Sequence, residues 1–358
     1  MDRSIGKLFF IGIPGPEIDA QTRELLQRVR PGGVCLFARN IRSAEQVNEL
    51  LLGLRETVSP QIMLSVDQEG GTVDRLRRII EPFPAADKIR NAEDAREHGA
   101  LIGRALRLLG FNMNFAPVVD VATDERRANN NGLRGRSFGN SAEEVVVLAG
   151  TFIHAMQAEG IAGCLKHFPG LAAATVDSHE ELPVVPIGVE EFESIDLNPF
   201  RRLITDFDVQ FVMIAHAVYP ELALQERDRN GRLLPSSLGS LVVNKLLREE
   251  CGFTGVAITD DLLMGAITRE YGLPEACLMA INAGEDMLAI CSEPELIVRS
   301  FDRLAEAFKN GELSRAHFDA SIERIDRIAS SLAEPIKFDE SEFDELSAKV
   351  VDFKARLQ

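Results

Sequence analysis

Val256-Ala257-Ile258-Thr259-Asp260-Asp261-Leu262 is a short apolar run that stops at two carboxylates. Apolar and β-branched residues in so short a run suit a strand buried on both faces. Helix-like patterns flank it near 237–250 and 273–283, and the same unit recurs outward in both directions. Candidate strands fall at 7–13, 34–38, 62–67, 112–118, 162–168, 211–218, 255–260 and 286–291. Between them lie further helix-like stretches near 18–29, 43–57, 92–109, 142–159, 190–204 and 293–309. Their apolar residues recur three and four apart, as in Val47, Leu50, Leu51 and Leu54. Strands that alternate with helices pair in parallel. Eight such units predict an α/β fold, a single (β/α)₈ TIM-type barrel. A doubly wound sheet is the competitor, but Gly12-Ile13-Pro14-Gly15 is not the G-x-G-x-x-G expected after its first strand. The barrel is expected over 1–335, followed by an acidic tail over 336–358 with a final helix around 341–357.

The strands run out into polar side chains. The third ends in Asp67, the fourth runs into Asp120 and the fifth ends at Lys166-His167; the sixth carries His216 and the seventh ends in Asp260-Asp261. One such residue could simply cap the next helix. Polarity at five exits points to the C-terminal face of a barrel, where active sites sit.

Composition narrows the function classes. Of 358 residues, 45% are apolar, enough for a large core. Thirty-nine basic and 56 acidic side chains leave a net charge of −17, which repels phosphate backbones and anionic membrane surfaces. No nucleic-acid or membrane partner is expected. Cys35, Cys164, Cys251, Cys277 and Cys291 are scattered without a C-x-x-C spacing, which fits a reducing compartment, a cytoplasmic location and no disulfide framework. No segment reaches the roughly 18 apolar residues of a membrane span. The run Leu8–Ile13 reads as the first barrel strand and not a signal-peptide core, because Glu17 and Asp19 follow it.

Several groups could carry chemistry. Alternation along a strand sends Asp260 and Asp261 to opposite sides, so one can enter the barrel mouth while the other faces the wall or caps a helix. Such an acid could be a base, a nucleophile, a metal ligand or a cap. In Asp177-Ser178-His179, residues i and i+2 of an extended loop project together, so the carboxylate can orient the ring for acid–base work. Asp67-Gln68-Glu69-Gly70-Gly71 follows the third strand, with Arg75 within reach of the same mouth. Arg136, Lys166 and His167 would add donors for hydroxyl, carbonyl or carboxylate oxygens. Two long loops, near 121–140 and 169–188, interrupt the pattern. His167, His179 and His216 lack the spacing of H-E-x-x-H, and Lys166 would put a positive charge beside any cation, so neither a metal nor a cofactor is expected.

In order, Gly33-Val-Cys-Leu-Phe-Ala-Arg-Asn40, Val66-Asp-Gln-Glu-Gly-Gly71, Asn114-Phe-Ala-Pro-Val-Val-Asp120, Arg136-Ser-Phe-Gly139, Lys166-His-Phe-Pro-Gly170, Asp177-Ser-His179 and Thr259-Asp-Asp-Leu262 resemble the β-N-acetylhexosaminidase branch of glycoside hydrolase family 3. The resemblance covers roughly residues 5–330. It implies a retaining exo-β-N-acetylglucosaminidase that works through a covalent glycosyl-enzyme intermediate. Asp260 then matches the nucleophile, His179 the acid/base and Asp177 its dyad partner. Asp67, Arg75, Arg136, Lys166 and His167 match residues that bind the N-acetylglucosamine unit. Peptidoglycan-derived saccharides or muropeptides are the implied substrates, in cell-wall recycling, and the protein is expected to act as a monomer.

The chain departs from that branch in one loop. Similar sequences read Lys-His-Phe-Pro-Gly-His-Gly, whereas Leu171-Ala172-Ala173-Ala174 follows Gly170 here. Thr72 also stands where the branch often has Arg. Loss of glycine implies a stiffer loop and alanines imply fewer polar anchors. Alternatives therefore stay open: a β-glucosidase, a phosphorolytic relative, or a weakly active or non-catalytic sugar-binding homologue.

Overall fold

The computed structural model of the chain describes residues 4–129 and 131–357. Asn130, in the polar loop 121–140, lies outside the described residues. The strands are β1 (Phe9–Gly12), β2 (Gly33–Leu36), β3 (Met63–Val66), β4 (Gln68–Gly70), β5 (Val73–Asp74), β6 (Cys164–Phe168), β7 (Phe211–Ile214), β8 (Val256–Thr259) and β9 (Leu288–Ile290). They form a four-stranded sheet ordered β3-β2-β1-β9, a three-stranded sheet ordered β6-β7-β8, and the small pair β4-β5. Both larger sheets are parallel throughout, and the β4-β5 pair is antiparallel. All residues of the seven parallel strands are buried. Helices cover a parallel sheet on its outer face, which is why these strands read as near-continuous apolar runs.

The segment 112–118, expected as a strand, is extended but forms no regular ladder. Met113 and Val118 make isolated parallel bridges to Ala162 and Lys166. On the other side, the N–H groups of Met113 and Phe115 donate to the carbonyls of Leu64 and Val66. Buried asparagine side chains take up the remaining bonds. Asn112 Oδ1 accepts the Leu64 N–H at 2.7 Å, and Asn114 Oδ1 accepts the Gln68 N–H at 3.0 Å. Pro117 has no N–H to offer a ladder. A further bridge, Ile258 to Met287, links β8 to the residue before β9.

Helices follow the strands much as the periodicity predicts: Ala20–Val29, Ala44–Thr57, Ala92–Leu109, Ala142–Ala158, Leu197–Asp206, Leu273–Ala283 and Pro294–Asn310. Asp19, Ser43, Asn91 and Ser141 cap the first four by accepting a backbone N–H. The stretches 192–196 and 241–250 wind as π-helix. The periodicity reading missed the helix Arg315–Ser331 and the β4-β5 pair.

The acidic tail forms the helix Glu340–Leu357, whose Phe343, Leu346, Val350 and Phe353 are buried at helical spacing. It packs on Ala92–Leu109: the Phe353 and His98 rings lie 6.0 Å apart, and Arg104 donates to Glu342 at 2.6 Å. Among the described residues, no helix is long and apolar enough to cross a membrane.

Candidate active site

The C-terminal ends of the strands and the two long loops enclose a cavity of about 270 Å³. Asp67, Arg75, Arg136, Lys166, His167, Asp177, His179 and Asp260 all line it. The sequence draws these eight from six separate segments, and the fold brings every one of them together.

Lys166, near the end of β6, is buried and donates to Asp67 at 2.7 Å. Its ammonium also lies 2.7 Å from Glu69, which Arg136 grips with two bonds of 2.8 and 2.9 Å. Burial alone would raise the Glu69 carboxyl, but Arg136 and Lys166 outweigh it and hold the group well below its ordinary value. Burial likewise lowers Lys166, and Asp67 and Glu69 push it up to about 12. Glu69, Lys166 and Arg136 therefore form a fixed, ionised frame. Glu69 is its hub, and nothing in its own segment marks it as one; only the distant partners do.

Asp120 Oδ2 accepts from the His167 backbone N–H at 3.1 Å and lies 2.8 Å from His167 Nδ1. Its other oxygen accepts the Leu171 N–H at 2.6 Å. A carboxylate can only accept, so Nδ1 carries the proton and Nε2 is left for a ligand. Arg75 stacks 5.9 Å from the Phe37 ring, and its buried Nε has no hydrogen-bond partner among the described residues.

Asp260 leaves β8 with its N–H still donating to Ile214 on β7 at 3.0 Å. Its Oδ1 accepts the Asp261 N–H at 2.8 Å. Asp261 does the wall-side work: its Oδ1 accepts the N–H groups of Leu263 and Cys291 at 3.1 and 3.2 Å. Burial would raise the Asp260 carboxyl, but His167 and His216, the Asp261 N–H and Lys166 outweigh it and leave it lowered. It is an ionised carboxylate, partly exposed to the cavity. His216 lies behind it. The Asp261 carbonyl, 3.2 Å from Nε2, can only accept, so Nε2 carries the proton and Nδ1 takes the Ser237 hydroxyl at 2.7 Å.

His179 sits at the rim with its side chain 74% exposed. Its Nδ1 lies 2.8 Å from Asp177 Oδ1, which also accepts the His179 backbone N–H at 2.9 Å. Burial raises the Asp177 carboxyl, and the backbone and ring of His179 lower it further than burial raises it. Gly132 lies against this carboxylate with φ +74°, and a Cβ there would stand 2.6 Å from Asp177 Oδ2. Glycine is needed on both counts.

The loop that departs from the family pattern is anchored after all. Leu171, Ala172, Ala173 and Ala174 are all buried. Asn131 Nδ2 donates to the carbonyls of Ala172 and Ala174 at 2.9 and 3.1 Å. The polar anchor comes from the opposite loop and grips backbone. Arg126, in that same opposite loop, is bound to Asp196 at 2.9 and 2.8 Å and to Glu191 at 2.6 Å. Among the described residues, no group of three or more His, Cys, Asp or Glu side chains is placed to hold a metal ion.

This scaffold and site belong to a glycosidase class, and comparison with known proteins places the chain within it. Residues 1–328 match the model of the glycosyl hydrolase family 3 N terminal domain. The chain belongs to glycoside hydrolase family 3. A β-hexosaminidase of Tolumonas auensis is 36% identical over 311 residues, 86% of this chain and 88% of that protein. A β-hexosaminidase of Pseudomonas aeruginosa is 35% identical, across 82% of this chain and 86% of its own. Among solved structures, a family 3 β-N-acetylglucosaminidase from Paenibacillus superposes with a TM-score of 0.87 at 32% identity, covering 99% of this chain and 68% of the other.

Proposed function

We propose that the protein is a retaining exo-β-N-acetylglucosaminidase. The observation that carries this is one cavity in which a partly buried, ionised Asp260 faces an ionic frame while a His179–Asp177 dyad stands at the rim. His179, held through Nδ1, presents Nε2 as the acid. It donates a proton to the glycosidic oxygen as an Asp260 oxygen bonds the anomeric carbon and the bond to the leaving group breaks. Nε2 then takes a proton from water, whose oxygen bonds the anomeric carbon and releases Asp260. The rim position leaves His179 free to meet a leaving group and then a water, and loop movement would bring it there. Asp67, Lys166, Arg136, Arg75 and His167 would hold the sugar hydroxyls and the acetamido group.

A cavity of about 270 Å³ suits one sugar unit, which supports exo action. A chain with two Tyr and no Trp has few platforms for stacking a long polysaccharide, which favours small peptidoglycan fragments as substrates. We further read the protein as cytoplasmic and monomeric, with a single closed (β/α)₈ barrel over 1–335 and a helical tail over 336–358. The neighbour relations support the barrel: segment 112–118 contacts both β3 and β6, and the Ile258–Met287 bridge joins the two sheets at their other edge.

The test is turnover of a chromogenic β-N-acetylglucosaminide with and without inorganic phosphate. Free N-acetylglucosamine should appear in both, and the matched β-glucoside should react far more slowly. Normal binding without turnover, a preference for the glucoside, or a sugar phosphate as product would overturn the reading.

A further inference from the structure

A second cavity, of about 280 Å³, lies beside the first. The segment 131–136 is the partition between them. Asn131 and Leu133 line both cavities, Arg134 lines only the second, and Arg136 lines only the catalytic one. The side chains of 134 and 136 thus serve different cavities. Ala172 also lines the second cavity, and it is one of the two residues whose carbonyls Asn131 holds. Any ligand there would rest against the staple that fixes the loop carrying Asp177 and His179.

The lining is cationic in a chain whose net charge is −17. Three guanidinium groups reach it, and they differ. Arg126 is fully occupied by Asp196 and Glu191. Arg134 is exposed and forms no ion pair among the described residues. Arg127 has its side chain 57% exposed; its Nε donates to the Ala122 carbonyl at 3.2 Å, its terminal nitrogens form no hydrogen bond among the described residues, and its acidic neighbour Asp124 is 3.9 Å away and 85% exposed, a pairing that water screens. Asp87 is the one acid in the lining, and it lies 3.7 Å from Lys88. Two planar, donor-rich cations therefore flank a concave site with unused bonding capacity, the arrangement that recognises carboxylate or phosphate oxygens. The cavity volume fits a small acidic group and not a folded segment.

We propose that this second cavity is a binding site for an oxyanion-bearing group, a carboxylate or phosphate, held by Arg127 and Arg134. The group could be carried by the leaving group of a glycoside, which rests on the proposed function, or by a free small anion, which does not.

Calorimetry with D-lactate and with inorganic phosphate tests the site without using turnover. Wild-type protein should bind at least one of them, and an Arg127→Gln/Arg134→Gln double variant should bind about tenfold more weakly. Both proteins should bind N-acetylglucosamine equally. The source is then read from KM for a β-N-acetylglucosaminide with a carboxylated leaving group against its methyl ester. An acid preference present in wild type and lost in the variant assigns the leaving group; anion binding without that preference assigns a free anion. No binding of either anion, or binding that survives both substitutions, overturns the proposal. If the anion binds and no glycoside turns over, the glycosidase reading fails and this site stands.

Discussion

Asp260 and His179 would share one reaction from opposite surroundings. Asp260 ends a buried strand, with its backbone still bonded into the ladder and its carboxylate tied to the next N–H. His179 stands on an exposed loop and is fixed mainly by one carboxylate two residues away. The nucleophile must meet one carbon along one line, so rigid placement serves it. The acid/base must meet two different oxygens in succession, so a group on a movable loop serves it. The difference predicts how each should fail.

Asp260→Asn removes the attacking oxygen's charge and leaves the frame of Lys166, Asp67 and Glu69 in place. Turnover should fall on the order of 10⁴-fold, while N-acetylglucosamine binding, measured calorimetrically, changes little. His179→Ala should cost about 10²- to 10³-fold in kcat for glycosides with poor leaving groups, and much less for an activated phenol that needs no proton. Equal losses across leaving groups would break the assignment of His179 as the acid.

Asn131→Ala probes what joins the two regions. It strips a partner from the Ala172 and Ala174 carbonyls in a buried setting, so stability should drop by about 1–3 kcal/mol, read as a lower Tm. Activity should fall with it, because the His179 loop loses its tether. The smallest effect is the pH dependence of the frame. The Glu69 pKa is lowered on folding, so its stabilisation is fully present above its ordinary value of 4.5 and is lost as pH falls toward the folded value. A Glu69→Gln variant should lose that part of the acid-side decline in Tm, measured by thermal melts from pH 7 downward.

Much of the scaffold was legible because burial on both faces writes strands as apolar runs. The segment 112–118 was legible as extended but not as irregular, because the bonds that replace its ladder belong to the side chains of Asn112 and Asn114. The helix Arg315–Ser331 escaped although its buried positions, Phe318, Ser321, Ile325 and Ile328, have helical spacing, because one of the four is a serine and the apolar stripe is thin. At the site, residue types at strand exits marked Asp260, Lys166 and His167. Glu69 was legible only as part of a motif, since its role depends on ion pairs with the remote Arg136 and Lys166. The alanines after Gly170 pointed to a poorly anchored loop because side-chain type says nothing of backbone carbonyls, which Asn131 holds.

The most direct test of the contrast between strand and loop is covalent trapping. A 2-fluoro β-glycoside with an activated leaving group forms its glycosyl-enzyme and loses it slowly, so the labelled peptide can be mapped by mass spectrometry. The label should sit on Asp260, and His179→Ala should still become labelled, since the activated leaving group needs no acid. A label on Asp67, Glu69 or Asp261, or steady turnover of the unfluorinated substrate with no trapped species, would contradict the account.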